Sequence, residues 1–207
     1  MSEVKTEKLS PRVTSLQLGD SGDTFTVPSG ATLDVDGTID VTGATVSGLT
    51  TGKVLQVVQT VKTNTFTTAA SGHTTWTDIT GFSLSITPSS TSSKILLMGD
   101  VQGSGSSYSY VCAFRFNRDG TGIGLGDAMT GFDPATAGHI RAVQDNNSSF
   151  RVPMIYMDSP SSTSAITYKI QGQVETGGFS INRTAAMSTG VFATTSISSI
   201  TAMEIGA

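Results

Sequence analysis

Two different spacings of apolar residues divide the chain near residue 52. In residues 27–48, VPSGATLDVDGTIDVTGATVSG, branched residues recur every sixth position with Gly and Asp between them. Set out in sixes the stretch reads VPSGAT, LDVDGT, IDVTGA and TVSGLT. One column holds Val27, Leu33, Ile39 and Thr45; another holds Ser29, Val35, Val41 and Ser47. Gly37 and Gly43 share a column in which the chain could turn. Apolar and polar residues alternate within each six, as strands require. Rungs this short cannot bury an apolar edge alone and must stack on neighbours. Rungs from identical chains would complete such a core. The pattern therefore predicts an extended, intertwined β stalk over 20–52, with Leu33, Val35, Ile39 and Val41 as contacts between chains. The alternative is a strand-turn-strand extension lying on its own chain.

From Lys53 the apolar runs lengthen and turn signals separate them. VLQVVQTVK, TTWTDI, FSLSIT, SKILLMGDVQ, YSYVCAFRFN, FRVPMIYMD, AITYKIQGQVE, GFSINRT and SSITAMEIGA each read as a strand. The separators TAASGH, TPSSTSS, NRDGTG, DSPSSTS and ETGG carry the Gly, Pro, Asn and Asp of turns. Eight to ten strands over 53–207 predict an antiparallel β-sandwich of jelly-roll type, a knob after the stalk. Trp76, Tyr110, Phe150 and Tyr156 alternate with polar residues as core-facing positions would. Residues 120–149 read as a long exposed loop with room for a short helix only at 135–142. Loops of that kind carry binding function on β scaffolds. Tyr108, after GSGSS, and Phe132, inside the long loop, are the rings expected at the surface and the candidates for partner or receptor contact.

Composition strengthens the all-β reading. Charged residues are 14% of the chain, against roughly 25% in ordinary globular proteins. Ser and Thr together number 60, so hydroxyls supply the surface polarity, and Thr favours strands. The formal net charge is −4, and no Lys or Arg lies between Arg12 and Lys53, where five aspartates do. Phosphate neutralisation needs clustered basic residues, so nucleic acid is not an expected partner. No run of about 18 apolar residues is present, so membrane insertion is not expected either. Residues 1–19 mix both charges with scattered aliphatics, and Pro11 interrupts any single helix, which suits a docking terminus ordered by a partner.

The search for chemistry returns little. The single cysteine, Cys112, sits in an apolar strand-like run and reads as a core thiol, which excludes an internal disulfide. The opening MSEVKTEKLSPR has no apolar stretch of the kind a secretory signal needs, so the sequons at Asn146, Asn147 and Asn182 read as accidents of composition and synthesis in a reducing cytoplasm fits best. His73 and His139 are far apart beside Gly and small polar residues, and read as solvated loop groups. No G-x-S-x-G elbow occurs. Asp158 and Glu175, near strand ends, are the nearest approach to a glycosidase pair. DVDGTID (34–40) begins like a calcium loop, but Thr38 and Thr45 stand where ligands are needed. A loosely held ion between stacked aspartates of several chains is the one metal reading left. The glycines of GTGIGLGDA (120–128), followed by Asp127 rather than Lys, suit a close strand passage, not a phosphate cradle. No enzyme activity, cofactor or catalytic residue is expected.

GDTFTVPSGATLDVDGTIDVTGATV together with the terminal SSITAMEIGA resembles the virion fibre-like proteins of tailed bacteriophages, marine ones especially. SKILLMGDVQG, AFRFNRDGT and DSPSSTSAITYKIQ extend the resemblance more loosely into the knob. It implies a homotrimer assembled in the infected cytoplasm and residing in the virion, with 1–19 docked on other virion proteins. The knob would point outward, towards a host-surface glycan or protein, and Ile205 on the last strand would lie near the threefold axis. A capsid decoration or cement protein, such as would stabilise a head, and a free carbohydrate-binding module are the competing functions.

Overall fold

The computed structural model describes residues 24, 26–37, 53–69, 72–105, 111–141, 149–184 and 194–206. The chain divides into two units, Met1–Leu49 and Thr50–Ala207. In the first, the described residues 26–37 form no strand. Pro28 O accepts from Ala31 N at 3.0 Å in a turn that Gly30 completes at φ 84°. Leu33 and Val35 are exposed. The expected contacts Ile39 and Val41, and all of 1–19, lie outside the described residues.

Among its described residues the second unit contains eleven strands and no helix: β1 (Val54–Lys62), β2 (Phe66–Thr68), β3 (Gly72–Ile86), β4 (Lys94–Gly105), β5 (Val111–Arg118), β6 (Thr121–Ile123), β7 (Ala137–Arg141), β8 (Phe150–Asp158), β9 (Ile166–Val174), β10 (Phe179–Ile181) and β11 (Ser198–Ile205). All pairings are antiparallel. In sheet A, β11 and β8 pair with the same stretch of β4 and so flank it, and β1 closes the far side of β11. The short β10 continues the β11 side of β4, with β2 beside it. The order is therefore β1-β11-β4-β8. In sheet B it is β3-β9-β5, with β6 and β7 sharing the outer edge of β5. Eight strand positions in two sheets, with the chain crossing between sheets after most strands, make a jelly roll.

The registers also sort the connections. Residues 87–93, 119–120 and 159–165 turn at one end, where Gly206 N donates to Lys53 O at 2.9 Å. At the other end lie Lys62, Gly105, Val111, Phe150, Val174 and Ser198, the strand termini from which the longer connections run.

Alternation in the strands aims one set of side chains between the sheets. Leu97, Val101 and Ile200 from sheet A meet Phe82, Phe114, Phe116 and Ile170 from sheet B, all fully buried. The Phe114 ring lies 5.8 Å from that of Phe150 and 5.9 Å from that of Phe179, the latter edge-on. Strand glycines make room for these rings: a Cβ on Gly172 would stand 2.7 Å from Phe179, and one on Gly103 2.8 Å from Phe150. Asn182 knots the long-loop end. Fully buried at φ 61°, it donates from Nδ2 to Lys62 O at 2.7 Å and to Asn64 O at 3.1 Å, and accepts from Ser198 Oγ at 2.6 Å.

Several expectations change. TTWTDI and FSLSIT are one strand, β3, whose pairing with β9 shifts register between Asp78 and Ser83, with Gly81 at φ 75°. The bulge bends the strand without ending it. Residues 137–141 form strand β7, not a helix or an open loop, because the free edge of β5 is there to pair with. His73 and His139 stand in strands β3 and β7, not in loops. Trp76 is half-buried under the Arg115 guanidinium, 4.3 Å from its ring, on the outer face of sheet B and not in the core.

Candidate functional site

The two outer faces of the sandwich are built from opposite chemistry. On sheet B the outward residues of β3, β5 and β9 satisfy one another. Asp78 accepts from Lys169 Nζ and Gln171 Nε2, each at 2.6 Å, and Gln171 Oε1 accepts from Arg115 Nε at 2.8 Å. The Lys169 hydrogen bond is the main reason the Asp78 carboxyl stays below the usual range. This face is a solvated, hydrogen-bonded surface.

On sheet A the outward residues form one wholly apolar row instead, next to a row in which Gln59 Nε2 donates to Thr201 Oγ1 at 2.9 Å. Val57 pairs with Met203, Met203 with Leu96, and Leu96 with Met157, so one row crosses all four strands. Beside it, Met98 pairs with Ile155, which is 71% exposed. Leu55, Val61 and Ile205 extend the surface along β1 and β11. Charges stay at the margin, where Arg151 pairs with Asp100 and Lys94 Nζ reaches Ser159 Oγ at 3.2 Å. The exposed apolar area sums to several hundred Å², against about 300–600 Å² for the largest patch on a typical monomer. A specific interface takes roughly 800 Å² from each partner.

The sequence carried a signal for this face. A strand with one wet side alternates, as FSLSI in β3 and ITYKIQ in β9 do. A strand covered on both sides reads as a continuous apolar run. KILLM in β4, PMIYM in β8 and VLQVV in β1 are of the second kind. Ile205 is half-buried on this face, in a strand interior to the sheet between β1 and β4.

A cavity of about 320 Å³ opens on the outer side of sheet B, towards the long-loop end. Val111 and Ala113 of β5 and Gln173 of β9 floor it; Phe132, Asp133 and Ala135 form one wall and Glu175 another. Phe132, 66% exposed, stands at the rim on a turn in which its N donates to Met129 O at 3.1 Å. The excursion 124–136 is braced against the sandwich. Gly126 N bonds Ala135 O at 3.2 Å, Thr136 N bonds Phe114 O at 3.1 Å, and Thr136 Oγ1 bonds Ile123 O at 3.2 Å. Gln173 is 7% exposed, and its side-chain carbonyl has no hydrogen-bond partner among the described residues. Neither Gln173 nor the cavity was foreseen, since alternation shows only that Gln173 points outward. The other candidate ring, Tyr108, lies outside the described residues.

The carboxylate pair fails on distance. Tyr168 Oη donates to Asp158 Oδ2 at 2.6 Å, and Glu175 follows seven residues later along extended β9, about 23 Å away. A glycosidase pair needs roughly 5–9.5 Å. Asp158 is instead locked to Arg118 Nη1 by two 2.9 Å contacts. Cys112 is fully buried, and burial pushes its thiol up to about 12, so it behaves as a small apolar side chain.

No protein-family model and no curated protein matches the chain. Among solved structures it is similar to the T13 particle of infectious bursal disease virus, with a TM-score of 0.42 and 12% identity, over 82% of this chain and 43% of that one. A structure of the Gx strain of that virus gives a TM-score of 0.40 at 10% identity, over 72% and 40%. The VP2 subviral particle of the same virus gives 0.38 at 13%, again over 72% and 40%. The chain thus spans less than half the length of each. Likeness this distant assigns neither a family nor a function.

Proposed function

We propose that the chain is a non-catalytic structural subunit of a virion, a fibre or spike protein whose sandwich associates with copies of itself and presents its long loops to a host surface. The observation that carries the reading is the apolar row Val57, Met203, Leu96 and Met157 across the outer face of sheet A. A solvated sheet face does not keep such a row, and the opposite face shows what this chain puts against water. The hexads at 27–48 and the resemblance of 24–46 to phage fibre stalks support the virion setting. The most economical closed assembly is cyclic, a trimer as the resemblance implies.

The test is the native mass of the purified 207-residue chain by light scattering, beside Val57→Asp and Ile205→Asp variants. A trimer that dissociates in both variants, with the β-sheet circular dichroism retained, is the expected result. A monomeric parent chain would overturn the self-association. Protection of the sheet A face only on particles would then favour a decoration protein, which meets the same face with a different partner.

A further inference from the structure

We propose that the cavity beneath Phe132 binds one unit of a neutral hexopyranose glycan. This deepens the host-surface part of the reading above and rests on it.

Three observations select the ligand. First, the polar side chains that line the space are rich in acceptors: the carboxylates of Asp133 and Glu175, and Gln173, whose buried carbonyl has no hydrogen-bond partner among the described residues. A buried carbonyl left without a donor is costly, and a ligand hydroxyl would satisfy it once the Gln173 side chain turns towards the cavity. Second, among the described residues no Lys or Arg lines the cavity. A sulfated, phosphorylated or sialylated sugar would meet two carboxylates, and the cation near Asp133, Arg115, is held by Gln171 and over Trp76 outside the lining, so an acidic glycan is selected against. Third, the remaining lining is apolar or aromatic, with Val111, Ala113 and Ala135 below and the Phe132 ring above. A pyranose offers what this requires, C–H groups on its faces for the ring and hydroxyl donors around its edge. The volume of about 320 Å³ is at the lower end for ligand pockets and suits a single sugar unit with its linkage leading out.

The bracing of residues 124–136 adds a reason for useful affinity. The backbone that carries Phe132 is held before any ligand arrives, so little loop ordering is required on binding. A cationic side chain could also meet the two carboxylates, but it would leave the apolar floor and the exposed ring unused. The test includes it as a competitor.

The experiment titrates the purified 207-residue chain with methyl glycosides of glucose, galactose and mannose, with N-acetylneuraminic acid and with Nα-acetyl-lysine methylamide. Binding is read by saturation-transfer NMR and calorimetry. At least one neutral hexoside should bind in the millimolar range and the acidic sugar should not. Phe132→Ala should weaken that binding about threefold to tenfold, the worth of one aromatic contact. Gln173→Met, similar in length but without the acceptor, should weaken it about fivefold to a hundredfold. Phe132 is exposed, so its removal leaves folding intact and keeps the test decisive if Gln173→Met unfolds. No hexoside binding, binding indifferent to Phe132→Ala, or tighter binding of the lysine derivative would each overturn the proposal. Light scattering on the same samples separates the two ideas: sugar binding by a monomer would reject the fibre reading alone, and a trimer blind to sugar would reject the site alone.

Discussion

Glu204 is fully buried on the inward side of β11, near the short-turn end of the sandwich. Burial alone pushes a carboxyl upward. Here the donors outweigh it: Ser89 offers N at 2.7 Å and Oγ at 2.6 Å, Gln56 offers Nε2 at 2.6 Å, and the group is held down to about 2. A depressed folded value means that the ionised form stabilises the native state. That contribution is complete above the ordinary carboxylate range near 4.5 and disappears as pH falls towards 2. The urea midpoint should therefore drop across that window, and Glu204→Gln should flatten the drop while lowering stability at neutral pH. A variant with an unchanged pH profile would show that other carboxylates govern acid unfolding. Glu204 sits in ITAMEIG, where alternation places it inward; that such a position could hold a carboxylate depends on Ser89 and Gln56, far away in sequence.

Among the elements, the Arg118–Asp158–Tyr168 cluster ties three strands from both sheets, β5, β8 and β9. Replacing Asp158 with Ala leaves a buried hydroxyl and a partly exposed guanidinium without their acceptor. Arg118 retains 31% exposure, so the loss should be about 2 kcal/mol, below the roughly 3–5 kcal/mol of a fully buried pair. Chemical denaturation measures it, and Asp158→Asn should recover part of the loss. The strands were legible in proportion to their length. The nine apolar runs correspond to β1, β3, β4, β5 and β8 to β11, because five or more alternating residues establish a period. β2 and β6 have three residues each, too few to show one; β10 is as short, and was legible only within the longer run GFSINRT. β7 was hidden by the Gly-rich composition before it. The split within β3 came from reading the bulge at Thr80–Gly81 as a turn, which local sequence does not distinguish. Pro153 inside β8 signals an edge strand, and β8 is one. Phe132 was legible as an exposed ring, whereas its cavity arises from three distant segments.

At the scale of the whole molecule, the sandwich has one face that water suits and one that it does not. An assembly held by the apolar face should respond to salt unlike one held by ion pairs. The row Val57, Met203, Leu96 and Met157 carries no charge, so 1 M NaCl should leave the native mass unchanged and sulfate should favour association. Dissociation in NaCl would point instead to the charged groups at the margin, Arg151, Asp100 and Lys94, as what joins one chain to the next. The knot at Asn182 also bears on how the protein can be made. Asn182, Arg183 and Thr184 form an acceptor triplet for oligosaccharyl transfer, and the folded sandwich buries the very amide that would be modified. A eukaryotic secretory pathway meets that triplet on the nascent chain, before the sandwich can hide it. A sugar tree attached there would take the nitrogen that Lys62 and Asn64 need and could not be enclosed. Production in a bacterial cytoplasm avoids that race, while a yeast or insect secretion host would divide the product between a folded and an unfoldable form.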